Sequence, residues 1–142
     1  MASENFRQLT RHLAKADIDF DTATLKVLLV SSIPSESNLD TWVDRADVTN
    51  EVTGTGYTAG GISQPYTLEA FDSANNRQAI TYTNRTNGWT NATISAVGAI
   101  IYKDTGVAAN DLLLHFVDFG GTVTSTAGNF SITYTAPFYI NA

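Results

Sequence analysis

The chain has two histidines, His12 near the amino terminus and His115 inside the apolar run Leu112-Leu113-Leu114-His115-Phe116. A metal site needs several converging ligands, and a catalytic triad needs a nucleophile, a base and a group that orients the base. Nothing in this sequence has such spacing, so both histidines read as packed or surface residues, with His115 turned outward on a strand face opposite Leu114 and Phe116. Asp104, Asp111 and Asp118 stand near loop ends, where a carboxylate pair could act as acid and base across a sugar groove. Beside Gly and Thr they read instead as turn residues. Asp17-Ile18-Asp19-Phe20-Asp21 gathers three carboxylates, but a calcium loop starting at Asp17 needs Gly and Glu where the chain has Thr22 and Leu28. Gly54, Gly56, Gly60 and Gly61 match neither the dinucleotide nor the phosphate-loop spacing and are assigned to turns or bulges. With no cysteine, thiol catalysis and thiolate metal sites are excluded. The expectation is a protein with no catalytic residue, no metal and no cofactor, hence not an enzyme.

Protein docking is the chemistry that remains. Phe6, Leu9 and Leu13 recur at helical spacing over residues 4–16, with Ser3 as N-cap, and the other face carries Arg7, Arg11 and Lys15 four apart. Like charges at that spacing weakly oppose an isolated helix, so the stripe reads either as a docking face for an acidic surface or as a solvated face. Trp89, between Asn87-Gly88 and Thr90-Asn91, reads as an aromatic anchor exposed at a loop or strand edge. The tail containing Phe138, Tyr139 and Ile140 is apolar to its end, which predicts pairing, either with this chain's own sheet or with a neighbouring subunit.

The elements that must hold these residues are mostly strands. Leu25–Val30 reads as a buried strand, and strand candidates follow at Tyr66–Phe71, Arg77–Thr83, Thr93–Lys103, Leu112–Phe119, Thr122–Thr124 and Phe130–Tyr134. Turn formers lie between them at 72–76, 84–88, 104–106 and 125–129. Residues 31–40 read as a surface loop and 41–48 as a helical turn placing Trp42 and Val43 on the core. The pattern predicts an all-β fold: an antiparallel β-sandwich or jelly-roll-like body over 17–142, preceded by one short amphipathic helix or arm at 1–16.

The 142 residues suit one domain, and 14 Asp and Glu against eight Lys and Arg give a net charge of -6, which disfavours a nucleic-acid partner. Residues 1–16 carry +2, so the remainder carries -8. No basic leader and no apolar run long enough for a bilayer is present, so the chain is expected to be made soluble in a host cytoplasm, with no membrane partner.

Four blocks carry a resemblance. They are residues 17–30 (Asp17-Ile18-Asp19-Phe20-Asp21 through Val30), 50–61 (Asn50-Glu51-Val52-Thr53-Gly54-Thr55-Gly56-Tyr57-Thr58-Ala59-Gly60-Gly61), 99–106 (Ala99-Ile100-Ile101-Tyr102-Lys103-Asp104-Thr105-Gly106) and 117–121 (Val117-Asp118-Phe119-Gly120-Gly121). In this order they resemble small virion proteins of tailed bacteriophages. The closest role in that group is capsid decoration, or cement: small β proteins on the outer surface of the head that clamp neighbouring major capsid subunits. The resemblance implies a virion location, the major capsid protein as partner, and self-association as a homo-oligomer, a trimer in preference to a dimer. The alternative within the group is a tail or fibre-associated structural module that binds host glycans through exposed aromatics.

Overall fold

The structure, a computed structural model, describes residues 3–141. It is mostly β, built from two antiparallel sheets. In chain order the elements are β1 (Glu4–Asn5), α1 (Gln8–Ala14), β2 (Leu25–Val30), α2 (Glu36–Thr41), β3 (Ile62–Ser63), β4 (Tyr66–Leu68), β5 (Arg77–Tyr82), β6 (Arg85–Lys103), β7 (Leu113–Ile132) and β8 (Phe138–Asn141), with single 3-10 turns at Arg45–Asp47 and Ala108–Asn110. The larger sheet runs β1-β7-β6-β2-β3 and the smaller β4-β5-β8.

Strand β2 shows why the larger sheet sits centrally. Val27 and Leu29 face a core shared with Ile80, Tyr82 and Phe138 of the smaller sheet, while Leu28 and Val30 face a second core with Phe6, Leu39, Ile100, Tyr102, Leu113 and Phe116. Both faces are buried, which is why the strand is a continuous apolar run and not an alternating one. The second core is closed by α2, which lies in the stretch expected to be a loop. Ser35 starts it with a reciprocal cap, its hydroxyl accepting from the Asn38 amide at 3.1 Å while the Asn38 side chain accepts from the Ser35 amide at 2.9 Å. Leu39 then delivers a fully buried side chain. Trp42 and Val43 are half-buried beside it, beyond the end of α2.

Two other expectations change. The amino-terminal helix is shorter than residues 4–16, because Glu4 and Asn5 pair with Phe116 and His115 as strand β1. Ser3 is therefore not its cap: its hydroxyl accepts from the Asp118 amide at 2.9 Å. The last third is one 20-residue strand, not three segments. The supposed loop at 125–129 stays within the β6–β7 ladder, which accommodates Gly128 between register shifts. The largest shift, between Ala96 opposite Val123 and Gly98 opposite Asp118, bulges Phe119-Gly120-Gly121-Thr122 out of the ladder.

The glycine-rich segment 54–61 lies close against the larger sheet. Gly61 has φ +73°, and a Cβ there would sit 1.8 Å from the Val27 carbonyl oxygen, so only glycine admits the close approach that lets β3 pair with β2.

Candidate docking surface

A groove of about 740 Å³ opens where the edges of the two sheets meet. Its floor and walls come from Ser3–Asn5, the bulge beginning at Val117, the segment 131–137 and the start of β8. Local chemistry fixes each wall. The Asn5 side-chain amide donates to the Tyr139 carbonyl at 3.1 Å, tying β1 to β8. Asp118 accepts from the Gly120 amide at 2.8 Å and so shapes the bulge. The Tyr134 amide is held by Asn84 at 2.8 Å, and its hydroxyl donates to Gln64 at 2.6 Å. Burial raises the Tyr134 hydroxyl above the ordinary tyrosine range, so it stays a neutral donor. Phe119, Val123, Tyr134, Pro137 and Tyr139 bring apolar and aromatic groups to the lining, and the charged residues in it are Glu4 and Asp118.

The carboxyl-terminal residues resolve the two alternatives open for the tail. Phe138–Asn141 pair with Ile80, Ala79, Gln78 and Arg77 of the same chain, so the tail completes its own smaller sheet as an edge strand. Phe138 is buried and stacks on His115 at 4.2 Å. Tyr139 and Ile140 are half-buried, and the Arg77 guanidinium lies 3.7 Å from the Tyr139 ring centre.

His115 is not turned outward. It faces away from Phe116, as alternation demands, but a shift in the β6–β7 register at Ile101 and Tyr102 leaves Leu114 in the same inter-sheet core. The Tyr82 hydroxyl meets its Nδ1 at 2.5 Å, while Nε2 is buried without a partner. Burial alone lowers the imidazole pKa to about 3.

The basic stripe is divided among three environments. Arg7 is taken up by its own chain, at 2.6 Å from Glu36, 3.0 Å from Asp40 and 3.4 Å from Glu4, and the hydrogen bond to Glu36 leads the rise in its pKa. The acidic surface it meets is thus α2. Lys15 pairs with Asp17 at 3.2 Å and, ahead of His12, lowers that carboxyl's pKa. Arg11 is exposed and forms no ion pair among the described residues.

Trp89 is corrected from exposed anchor to core residue: it is 3% exposed, stacked on Tyr57 with ring centres 5.9 Å apart and edge-on to Phe130 at 5.9 Å. The flanking Asn87-Gly88 suggested a turn, yet Arg85 already begins β6, so alternation turns Trp89 inward. Sequence reasoning did not single out Phe71, which at 56% is the most exposed large apolar residue among the described residues.

The three aspartates considered for acid and base work have local partners. Asp111 is fully buried, 2.9 Å from Arg45 and bonded by the Thr105 amide and hydroxyl, both at 2.7 Å. Burial pushes its pKa up, but the Thr105 and Arg45 hydrogen bonds outweigh that and hold it below the usual range. Asp104 accepts from the Gly106 amide at 3.1 Å and lies 3.5 Å from Lys26, while Asp118 holds the bulge. Among the described residues no group of three His, Cys, Asp or Glu side chains converges in a metal-binding arrangement, and no helix is long and apolar enough to cross a membrane. Comparison with family models, with curated proteins and with solved structures finds no match to this chain.

Proposed function

We propose that this chain is a non-enzymatic structural protein of a tailed-phage virion that decorates the outer surface of the head and clamps neighbouring major capsid subunits. The observation that carries the reading is the groove between the sheet edges, about 740 Å³ in volume and walled by aromatic side chains and strand edges. Such a groove suits an extended polypeptide segment, held by backbone hydrogen bonds and by pockets for alternate side chains. The four blocks of phage resemblance support it from another side. They form β2, the glycine segment lying against it, the end of β6 and the bulge, and the last of these blocks also lines the groove. Many copies each making one modest contact would stabilise an expanded shell through avidity.

Phage shells lacking the protein provide the test. Purified protein is expected to bind them saturably and to raise their resistance to heat or chelator. Tyr139→Ala in the groove wall is expected to weaken binding about tenfold with folding intact. Wild-type protein that neither binds nor protects such shells overturns the proposal. The glycan-binding alternative loses Trp89, its best aromatic, to the core.

A further inference from the structure

Asn87-Gly88 is the only Asn-Gly step in the chain. Such a step is reactive because the nitrogen after the asparagine can close a five-membered ring on the asparagine's own side-chain carbonyl, and glycine, lacking a Cβ, leaves that nitrogen open. A regularly paired strand suppresses the reaction by fixing the peptide units on both sides of the residue. Asn87 lies inside β6, yet the ladder releases it. Strands β6 and β7 pair at Arg85 with Ile132 and next at Trp89 with Phe130, so Thr86, Asn87 and Gly88 have Ser131 alone opposite them. In this bulge Asn87 turns to φ +53°, and its main-chain amide donates to the Ser131 hydroxyl at 2.8 Å. Its exposed side-chain amide forms no hydrogen bond among the described residues. The side chains of Asn5, Asn38, Asn50, Asn75 and Asn84 are all hydrogen-bonded. Asn91 is exposed and left-handed too, at φ +48°, but Ala92 follows it and its methyl group crowds the attacking nitrogen.

We propose that Asn87 is a modification site, deamidated spontaneously in the folded protein with water as the co-reactant. The Gly88 nitrogen, having given its proton to hydroxide, attacks the side-chain carbonyl carbon of Asn87. A C–N bond forms, the bond to the side-chain nitrogen breaks, and that nitrogen leaves as ammonia with a proton from water. Water then opens the cyclic imide. Cleavage at the side-chain carbonyl gives aspartate with the original backbone, and cleavage at the main-chain carbonyl gives isoaspartate, with the chain rerouted through the side chain. Either product makes the net charge of -6 one unit more negative, and isoaspartate adds one atom to the backbone of the bulge. The proposal stands apart from the capsid reading, since it needs no partner. Its effect reaches the groove nonetheless, because Ser131, which holds the Asn87 amide, belongs to the lining.

The test follows the full chain by mass spectrometry during incubation at mildly alkaline pH, in native buffer and in parallel in concentrated urea. Trypsin cuts after Arg85 and Lys103, so one peptide carries both Asn87 and its internal control Asn91. Exchanging ammonia for water adds one mass unit, and electron-transfer fragmentation locates the change and separates isoaspartate from aspartate. If the ladder locked Asn87, reaction would wait for global unfolding and the native sample would lag the urea sample by at least about 1000-fold. A bulge that opens locally predicts a lag below about 100-fold. The expected result is modification at residue 87 ahead of residue 91 in the native sample, first order in hydroxide. Asn87→Gln, which must close a less favoured six-membered ring, is expected to keep the peptide at its original mass while half of the wild type reacts. Native protein protected more than about 100-fold overturns the proposal. So does a native sample in which Asn91 reacts first, or an Asn87→Gln variant whose peptide gains mass as fast as the wild type.

Discussion

Acid should loosen this protein through His115 before it reaches the carboxylates. The ring is fully buried, its Nε2 has no partner, and its pKa is lowered to about 3, against about 6.5 in an unfolded chain. The folded state therefore favours the neutral ring and the unfolded state takes up the proton. Stability is complete above pH 6.5 and falls by about 1.4 kcal/mol per pH unit from there down to the folded pKa. Between pH 7.5 and 5.0 the loss is about 2 kcal/mol, an order-of-magnitude figure. Asp17, Asp72 and Asp111 also have lowered pKa values, but their contributions are lost only as pH falls from about 5 through the carboxylate range, so this window separates the two effects. Urea unfolding followed by tyrosine and tryptophan fluorescence at several pH values measures the slope. The control is His115→Phe combined with Tyr82→Phe, which keeps two rings against Phe138 and removes the Tyr82–His115 hydrogen bond as a unit. Subtracting its slope from the wild-type slope cancels whatever His12 contributes. A wild-type protein as stable at pH 5.0 as at pH 7.5, or a control losing as much as the wild type, refutes the reasoning.

Two further substitutions test the packing. Gly61→Ala forces a methyl group against the Val27 carbonyl at a backbone angle that L residues rarely adopt, and should cost about 3 kcal/mol or more, read as a lowered urea midpoint. Trp89→Ala should cost about 3–5 kcal/mol, whereas Trp89→Phe should cost about 1 kcal/mol, because removing the buried and unpartnered indole N–H offsets much of the lost volume. Equal costs for the two Trp89 variants would contradict that placement.

The sequence made strands legible where burial imposed a pattern. The apolar run at Leu25–Val30 and the alternation of Phe130 and Ile132 both appear as strand segments because their side chains had to meet the cores. Arg77–Tyr82 was bounded by turn formers on both sides and emerges with nearly its expected limits. Long-range choices were not legible. Helix α2 is capped by Ser35 with Asn38 standing three residues on, where a capping box usually has Glu or Gln, inside a stretch rich in loop formers. The glycines and threonines of β7 signal turns locally, but β6 holds them in a ladder through bulges that no local rule encodes. Of the site residues, the basic stripe was readable as charge. Its engagement was not, because Glu36 and Asp40 reach Arg7 only after α2 folds back over the amino terminus. Trp89 was misplaced because an exposed environment was assigned from its polar neighbours in sequence, whereas strand alternation points its side chain away from them. His115 was placed outward by alternation against Leu114 and Phe116, which fails because both faces of β7 are buried at this point and the register shift leaves Leu114 in the inter-sheet core.

The proposed role is tested most directly by a virion map at side-chain resolution. The account predicts copies of this chain distributed over the outer head, with the groove between β1, β7 and β8 occupied by a segment of the major capsid protein. Density for the chain confined to the tail, or a head-bound copy with the groove empty and facing solvent, would contradict it.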